Sequence, residues 1–198
     1  VLIETIIEEN QMPHVTVPPK LPPGTPGLMQ YRQETGRPLS QLAEVLLREP
    51  HTMSSSDREL IAAYVSYLNN CEFCAYTHSE CSAQQHPEGR PEGRVIVDKV
   101  LADVDSAPIT PKMRSLLTIA AAVNTSGKSV TDEMVEAARQ EGASDTEIHD
   151  SVLIAAAFGM YNRYCDGLAA IVPEDPTAYV GMAAMIIKNG YSQCATSH

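Results

Sequence analysis

A four-residue signal, Ser144-Asp145-Thr146-Glu147, opens a stretch whose apolar side chains recur at helical spacing through Ile148, Val152, Ala155, Ala156 and Gly159 to about Ile171. Serine with glutamate three residues later is a capping box, and it marks the head of a long helix that can organise a bundle around itself. Thr110-Pro111 is a second clear start, a capping residue followed by proline at the first helical position, and it leads through Met113, Leu116, Leu117, Ala120 and Ala121 to about Thr125. The same spacing predicts helices over 38–48, from Ser54-Ser55-Ser56-Asp57 to Leu68, from Cys71 to about Gln85, and over 95–104, 131–141 and 177–188. Asn69-Asn70 reads as a break, because asparagine tolerates the left-handed conformation. No stretch alternates as a strand would. The expected fold class is all-α. Without tryptophan and with two phenylalanines, the interior must be built from alanine and aliphatic side chains, which suits closely packed helices.

Residues 12–27 hold six prolines, so residues 1–37 are expected to form an extended, polyproline-like segment, with the helical domain spanning 38–198. Pro87, Gly89, Pro91 and Gly93 predict a loop. A weak internal repeat aligns Arg58-x-Leu60-Ile61 with Arg114-x-Leu116-Leu117, giving two related halves of which the second lacks the chemistry of the first.

A formal charge of −11 and the lack of a basic stripe argue against a nucleic-acid partner. The longest apolar run, 152–161, is half the ~20 residues a membrane helix needs. Glu4, Glu8 and Glu9 give the N-terminal region the wrong charge for a secretory signal. Five cysteines, an odd number, do not resemble a secreted disulfide framework, so the expected location is a reducing cytoplasm.

There, Cys71-Glu72-Phe73-Cys74 carries chemistry, because His78 follows four residues on and Glu59 precedes Cys71 by one helix. A free thiol with a pKa of about 8.5 is mostly protonated at pH 7, and a helix N-terminus contributes only about 0.3–1 kcal/mol toward the anion. A local base is required. Cys74 and His78 stand at i and i+4 on one helical face, and Glu59 can orient the imidazole if its helix packs alongside. Oxidation of one thiol to a sulfenic acid, then condensation with the other, makes a disulfide that an external thiol can reduce. Spacing does not decide which cysteine attacks.

The stretch from Ser56 to His78 resembles the cysteine-bearing, peroxidase-related branch of the alkylhydroperoxidase D / carboxymuconolactone decarboxylase family. Asn162-Arg163-Tyr164-Cys165-Asp166-Gly167, similar to a sequence recurring in that branch, extends the resemblance over roughly 40–172. The resemblance implies a thiol-dependent peroxidase with hydroperoxide substrates and a thiol or dithiol reductant. It implies Cys74 as the attacking thiol, Cys71 as proton donor and resolving thiol, and His78 with Glu59 as proton relay. No cofactor or metal is implied. Relatives form trimers or hexamers, so a homo-oligomer is expected. Phe73 is a departure, since the best-known members carry histidine between the cysteines.

Other readings compete. Glu59 also fits a capping box with Ser56, unless Ser54 and Asp57 do the capping. Cys71, Cys74, His78 and Cys81 have zinc-like spacing, but on one helix the outer pair would lie about 15 Å apart. A protein thiol–disulfide oxidoreductase and a non-enzymatic redox-sensing or zinc-binding module are the functional alternatives. Lactone decarboxylation belongs to relatives without the paired cysteines. Arg163 and Asp166 read as an ion pair, Cys165 and Cys194 as structural or incidental, and the other histidines as surface or capping residues.

Overall fold

The structure, a computed structural model, describes residues 13–195. Among the described residues nine α-helices run in chain order: α1 Gly24–Tyr31, α2 Gln33–Leu47, α3 Ser55–Leu68, α4 Glu72–Gln84, α5 Arg90–Ala102, α6 Pro111–Thr125, α7 Asp132–Gln140, α8 Asp145–Gly167 and α9 Thr177–Asn189. Short 3-10 turns follow α6 and α9, at Gly127–Ser129 and Tyr191–Ala195. Among the described residues no strand occurs, so the all-α expectation holds, and no helix is long and apolar enough to cross a membrane.

Side chains set the helix starts as expected. Ser54 accepts from the Asp57 amide, Thr110 from Met113, and Ser144 forms a complete capping box with Glu147. Asn70 takes a φ of 56°, turning the chain between α3 and α4. Because Ser54 and Asp57 do the capping, Glu59 is released from it, and Ser56 Oγ instead donates to the Ser82 carbonyl.

Two expectations fail. The N-terminal segment is not extended through residue 37: it turns helical at Gly24, and α2 begins at Gln33 rather than Pro38. Pro26 is the third residue of α1, where an amide has no intrahelical partner to lose. The proposed loop over 87–93 is likewise shortened, because Pro91 sits in the first turn of α5.

α3 packs on α4, α6 and α8, and α4 also meets α5 and α9. Leu47, Ile61, Val65, Leu116, Leu117, Ile119, Ile154 and Phe158 lie in the main core. A smaller apolar cluster joins Leu28, Phe73, Ala170 and Tyr179 to Cys71, Cys74 and Cys165. The three thiols therefore sit inside a packed cluster. Arg58 and Arg114 each donate to carbonyls of the preceding segment, at Leu46 and at Val104 and Ala107 respectively, tying α3 and α6 to what comes before them.

Candidate functional site

α3 and α4 lie side by side, which brings Glu59 and His78 together. His78 Nδ1 is 2.7 Å from Glu59 Oε2, and both side chains are buried, Glu59 completely. The carboxylate takes the Nδ1 side of the ring, which leaves Nε2 as the nitrogen free to exchange a proton. Tyr191, from the 3-10 turn after α9, donates its hydroxyl to Glu59 Oε1 at 2.7 Å and stands 3.3 Å from His78 Nδ1. Both carboxylate oxygens are thus engaged. Phe158 meets the imidazole edge-on at 4.5 Å between ring centres, and the Tyr191 ring stacks at 5.9 Å. Cys81 lies beneath this group, 4.0 Å from the Tyr191 hydroxyl.

The second half of the site is made of sulfur. Cys71 caps the N-terminus of α4, Cys74 is in its first turn, and Cys165 reaches them from α8. The three sulfurs lie within 4.8 Å of one another and all three residues are buried. Hydrogen bonding from Cys165, then from Cys71, holds the Cys74 thiol well below its ordinary value against the opposing effect of burial, and Asn162 and Thr25 pull the same way. Cys165, the donor to both, is pushed up by those bonds and by burial. At Cys71 the bond with Cys165 lowers the pKa, but its bond to Cys74, burial and the Cys74 charge outweigh it, and the thiol ends up raised. Within the cluster Cys74 is thus the thiol shifted toward the anion, and its two neighbours are shifted away from it.

Asn162, buried on α8, donates to Ser66 Oγ at 3.0 Å and accepts from Asn69 Nδ2 at 2.9 Å, pinning α8 to the α3–α4 junction. Asp166 stands at the solvent edge of the cluster. Partial burial of its carboxyl, then its hydrogen bond to Cys71 and repulsion from that thiol, push it up to about 7. The expected Arg163–Asp166 pair does not form among the described residues. Arg163 instead donates to the Gly159 carbonyl one turn back in its own helix.

Cys74 and His78 line one cavity of about 50 Å³ with Thr25, Ser40, Phe158 and Tyr191. That is room for a few water-sized groups, at about 10–15 Å³ each. Among the described residues no direct hydrogen bond joins His78 to Cys74, so the shared cavity is what connects them. Pro26, Phe73, Thr77 and Ile186 also line an adjoining cleft of about 280 Å³ that is walled by Pro22, Pro23, Met182 and Met185. Phe73 stands between the two spaces, packed against Tyr179 at 6.0 Å between ring centres.

Among the described residues, Cys71, Cys74, His78 and Cys81 do not converge as a metal site; the sulfurs near enough to hold a soft ion are those of Cys71, Cys74 and Cys165. Cys165, read from the sequence as structural or incidental, instead joins the sulfur cluster. Tyr191 was missed altogether.

The arrangement is an all-helical bundle with paired thiols beside a buried histidine–glutamate couple, and its fold is alkylhydroperoxidase D-like. Residues 96–172 match the carboxymuconolactone decarboxylase family, a segment that runs from α5 through α8 and includes Asn162, Cys165 and Asp166 but not the Cys71–His78 stretch. The fold resembles the alkylhydroperoxidase AhpD core of an uncharacterized peroxidase-related protein from Ralstonia eutropha JMP134. The TM-score is 0.69 at 22% identity, covering 81% of this chain and 80% of that one. An uncharacterized peroxidase-related protein from Silicibacter sp. TM1040 superposes with a TM-score of 0.70 at 21% identity, over 81% and 80% of the two chains. No curated protein matches. The chain thus has the alkylhydroperoxidase D-like fold and carries a carboxymuconolactone decarboxylase family segment, in line with the resemblance read from its sequence.

Proposed function

We infer that this protein is a thiol-dependent peroxidase that reduces hydroperoxides through Cys74 and Cys71, with His78 and Glu59 as the proton relay. The observation that carries the reading is the depressed Cys74 thiol lining the same small cavity as a histidine backed by a buried carboxylate. A thiolate is the nucleophile that peroxide chemistry needs, and a group that delivers a proton to the departing oxygen is what turns it into an alcohol.

In this mechanism Cys74 Sγ attacks the distal oxygen of the hydroperoxide. The S–O bond forms, the O–O bond breaks, and the alkoxide takes a proton delivered through His78, whose charged form the Glu59 carboxylate stabilises. Cys71 then attacks the Cys74 sulfenic acid, expelling water and closing the disulfide. An external thiol or dithiol returns both sulfurs to the reduced state.

The size of the cavity favours a peroxide group over a protein disulfide, and the burial of Cys71 disfavours direct access by a folded partner. The adjoining apolar cleft suits the organic part of an alkyl hydroperoxide, and it is also the route for a small reductant. Assembly into a trimer or hexamer in a reducing compartment belongs to the same reading, and sedimentation measures the assembly. The deciding experiment is hydroperoxide consumption with a dithiol donor, comparing the wild type with Cys74→Ser. The substitution should abolish turnover; equal rates would remove Cys74 from the role.

A further inference from the structure

The proposed function uses two of three neighbouring thiols. The geometry points to Cys165 as a third redox thiol of the site, one that closes a disulfide with Cys74 as an alternative to Cys71. This inference rests on the peroxidase reading above and deepens it.

Four observations carry it. Cys165 Sγ lies within 4.8 Å of both Cys71 Sγ and Cys74 Sγ, so either neighbour of Cys74 stands within a side-chain movement of the S–S bond length of about 2.05 Å. Cys165 is hydrogen-bonded to Cys74, which aims its sulfur at the atom that becomes electrophilic on oxidation. The cluster that encloses the sulfurs is apolar, formed by Leu28, Phe73, Ala170 and Tyr179, so an oxidised Cys74 has neighbouring thiols packed against it. Asn162, three residues before Cys165 on the same helix, also acts on Cys74, so the presenting face of α8 is fixed by its bonds to Ser66 and Asn69.

The chemistry balances. After hydroperoxide has oxidised Cys74 by two electrons to the sulfenic acid, Cys165 Sγ attacks Cys74 Sγ. The S–S bond forms, the S–O bond breaks, and the hydroxide leaves as water with the Cys165 proton. The product links α4 to α8, whereas the Cys71–Cys74 bond stays within one helical turn. The remaining thiol, Cys71, can attack that interhelical disulfide and move it to the CxxC pair without any net redox change. The third sulfur therefore offers the oxidised site two interconvertible forms, one rigidifying the bundle and one local.

The test is disulfide mapping in wild type, Cys71→Ser, Cys165→Ala and the double variant, after treatment with cumene hydroperoxide, rapid alkylation, digestion and mass spectrometry. Cys71→Ser should yield a Cys74–Cys165 cross-link and keep dithiol-dependent turnover within about tenfold of wild type. The double variant should turn over once and then accumulate Cys74 sulfinic acid. The inference is overturned if Cys74 is oxidised in Cys71→Ser but Cys165 remains a free thiol. A parallel arm uses diamide, which oxidises thiol pairs without a peroxide. Should hydroperoxide leave Cys74 untouched, the peroxidase reading fails, and the diamide map still reports whether the Cys74–Cys165 bond forms. Wild-type protein adds a readout without substitution: a Cys165-containing disulfide trapped by rapid alkylation supports the inference.

Discussion

Glu59 and His78, one helix apart in the chain, meet through a 2.7 Å hydrogen bond in which the carboxylate is wholly buried. The relation places a negative charge where it is useful only if the imidazole carries a positive charge during turnover. Glu59→Gln keeps the shape and removes the charge, and partners of this kind change activity by about 10–100-fold. Turnover of hydroperoxide should fall by that factor. Glu59→Ala, which leaves the imidazole and the Tyr191 hydroxyl facing an empty site, should destabilise the fold by about 3–5 kcal/mol in urea denaturation.

Tyr191 donates to the other oxygen of Glu59 from the far end of the chain. Tyr191→Phe strips that donor while keeping the ring that stacks on His78. A hydrogen bond to a charged group is worth about 1.5–3 kcal/mol, and the variant should lose that much stability. Activity should fall in parallel, with the disulfide map of the oxidised protein unchanged. A variant as stable and as active as wild type would show that the hydroxyl is not part of the relay.

These two residues also mark where the sequence was legible. Local signals were reliable: Ser54, Thr110 and Ser144 each cap the helix expected of them, and Cys74 and His78 share a helix as their spacing required. The packing of α3 on α4 that unites Glu59 with His78 was conditional on tertiary contact, and the family resemblance supplied it. Tyr191 and Cys165 were not legible, because each reaches the site from an element distant in the chain, and neither a 3-10 turn nor a lone cysteine announces a partner. Proline density misled at Gly24, since it limits a helix interior and not a first turn.

Asp166 should make stability depend on pH. Its carboxyl rises from an ordinary value of 3.8 to about 7 in the folded protein, so between those values the folded state binds more protons than the unfolded chain. Stability contributed by the protonated form is fully present below about 3.8 and is lost as pH rises through about 7. Asp166→Asn removes this titration. Its unfolding midpoint should decline less than that of wild type from pH 4 to pH 7, and alkylation of Cys71 should lose any inflection in that range.

Gly24 begins α1 with a φ of +69°, and a β-carbon there would come 2.1 Å from Phe73 Cζ. Both facts oppose any other residue. Gly24→Ala should therefore push the Phe73 ring, which stands between the cavity and the cleft, and strain the backbone, costing about 1–3 kcal/mol. Thermal melts measure the loss. Quenching of Cys74 reactivity toward a bulky alkylating reagent should also relax, because the displaced ring widens the passage.

The reactivity of Cys74 should itself titrate below the ordinary thiol range. Iodoacetamide reacts with the thiolate, so the rate of Cys74 modification, followed by mass spectrometry, reports the ionised fraction at each pH. Hydrogen bonding from Cys165 is the largest cause of the depression, with Cys71 next. Cys165→Ala should shift the inflection upward toward the ordinary value of 9.0, and Cys71→Ser should shift it less. The sign for folding follows from the same depression: the ionised thiol contributes stability that is present above the unfolded value and is lost as pH falls through the folded one. Wild type should thus lose stability on acidification through the inflection seen in the alkylation profile, and Cys165→Ala should lose it at higher pH. Coincident profiles for the two proteins would show that α8 does not set the ionisation of Cys74.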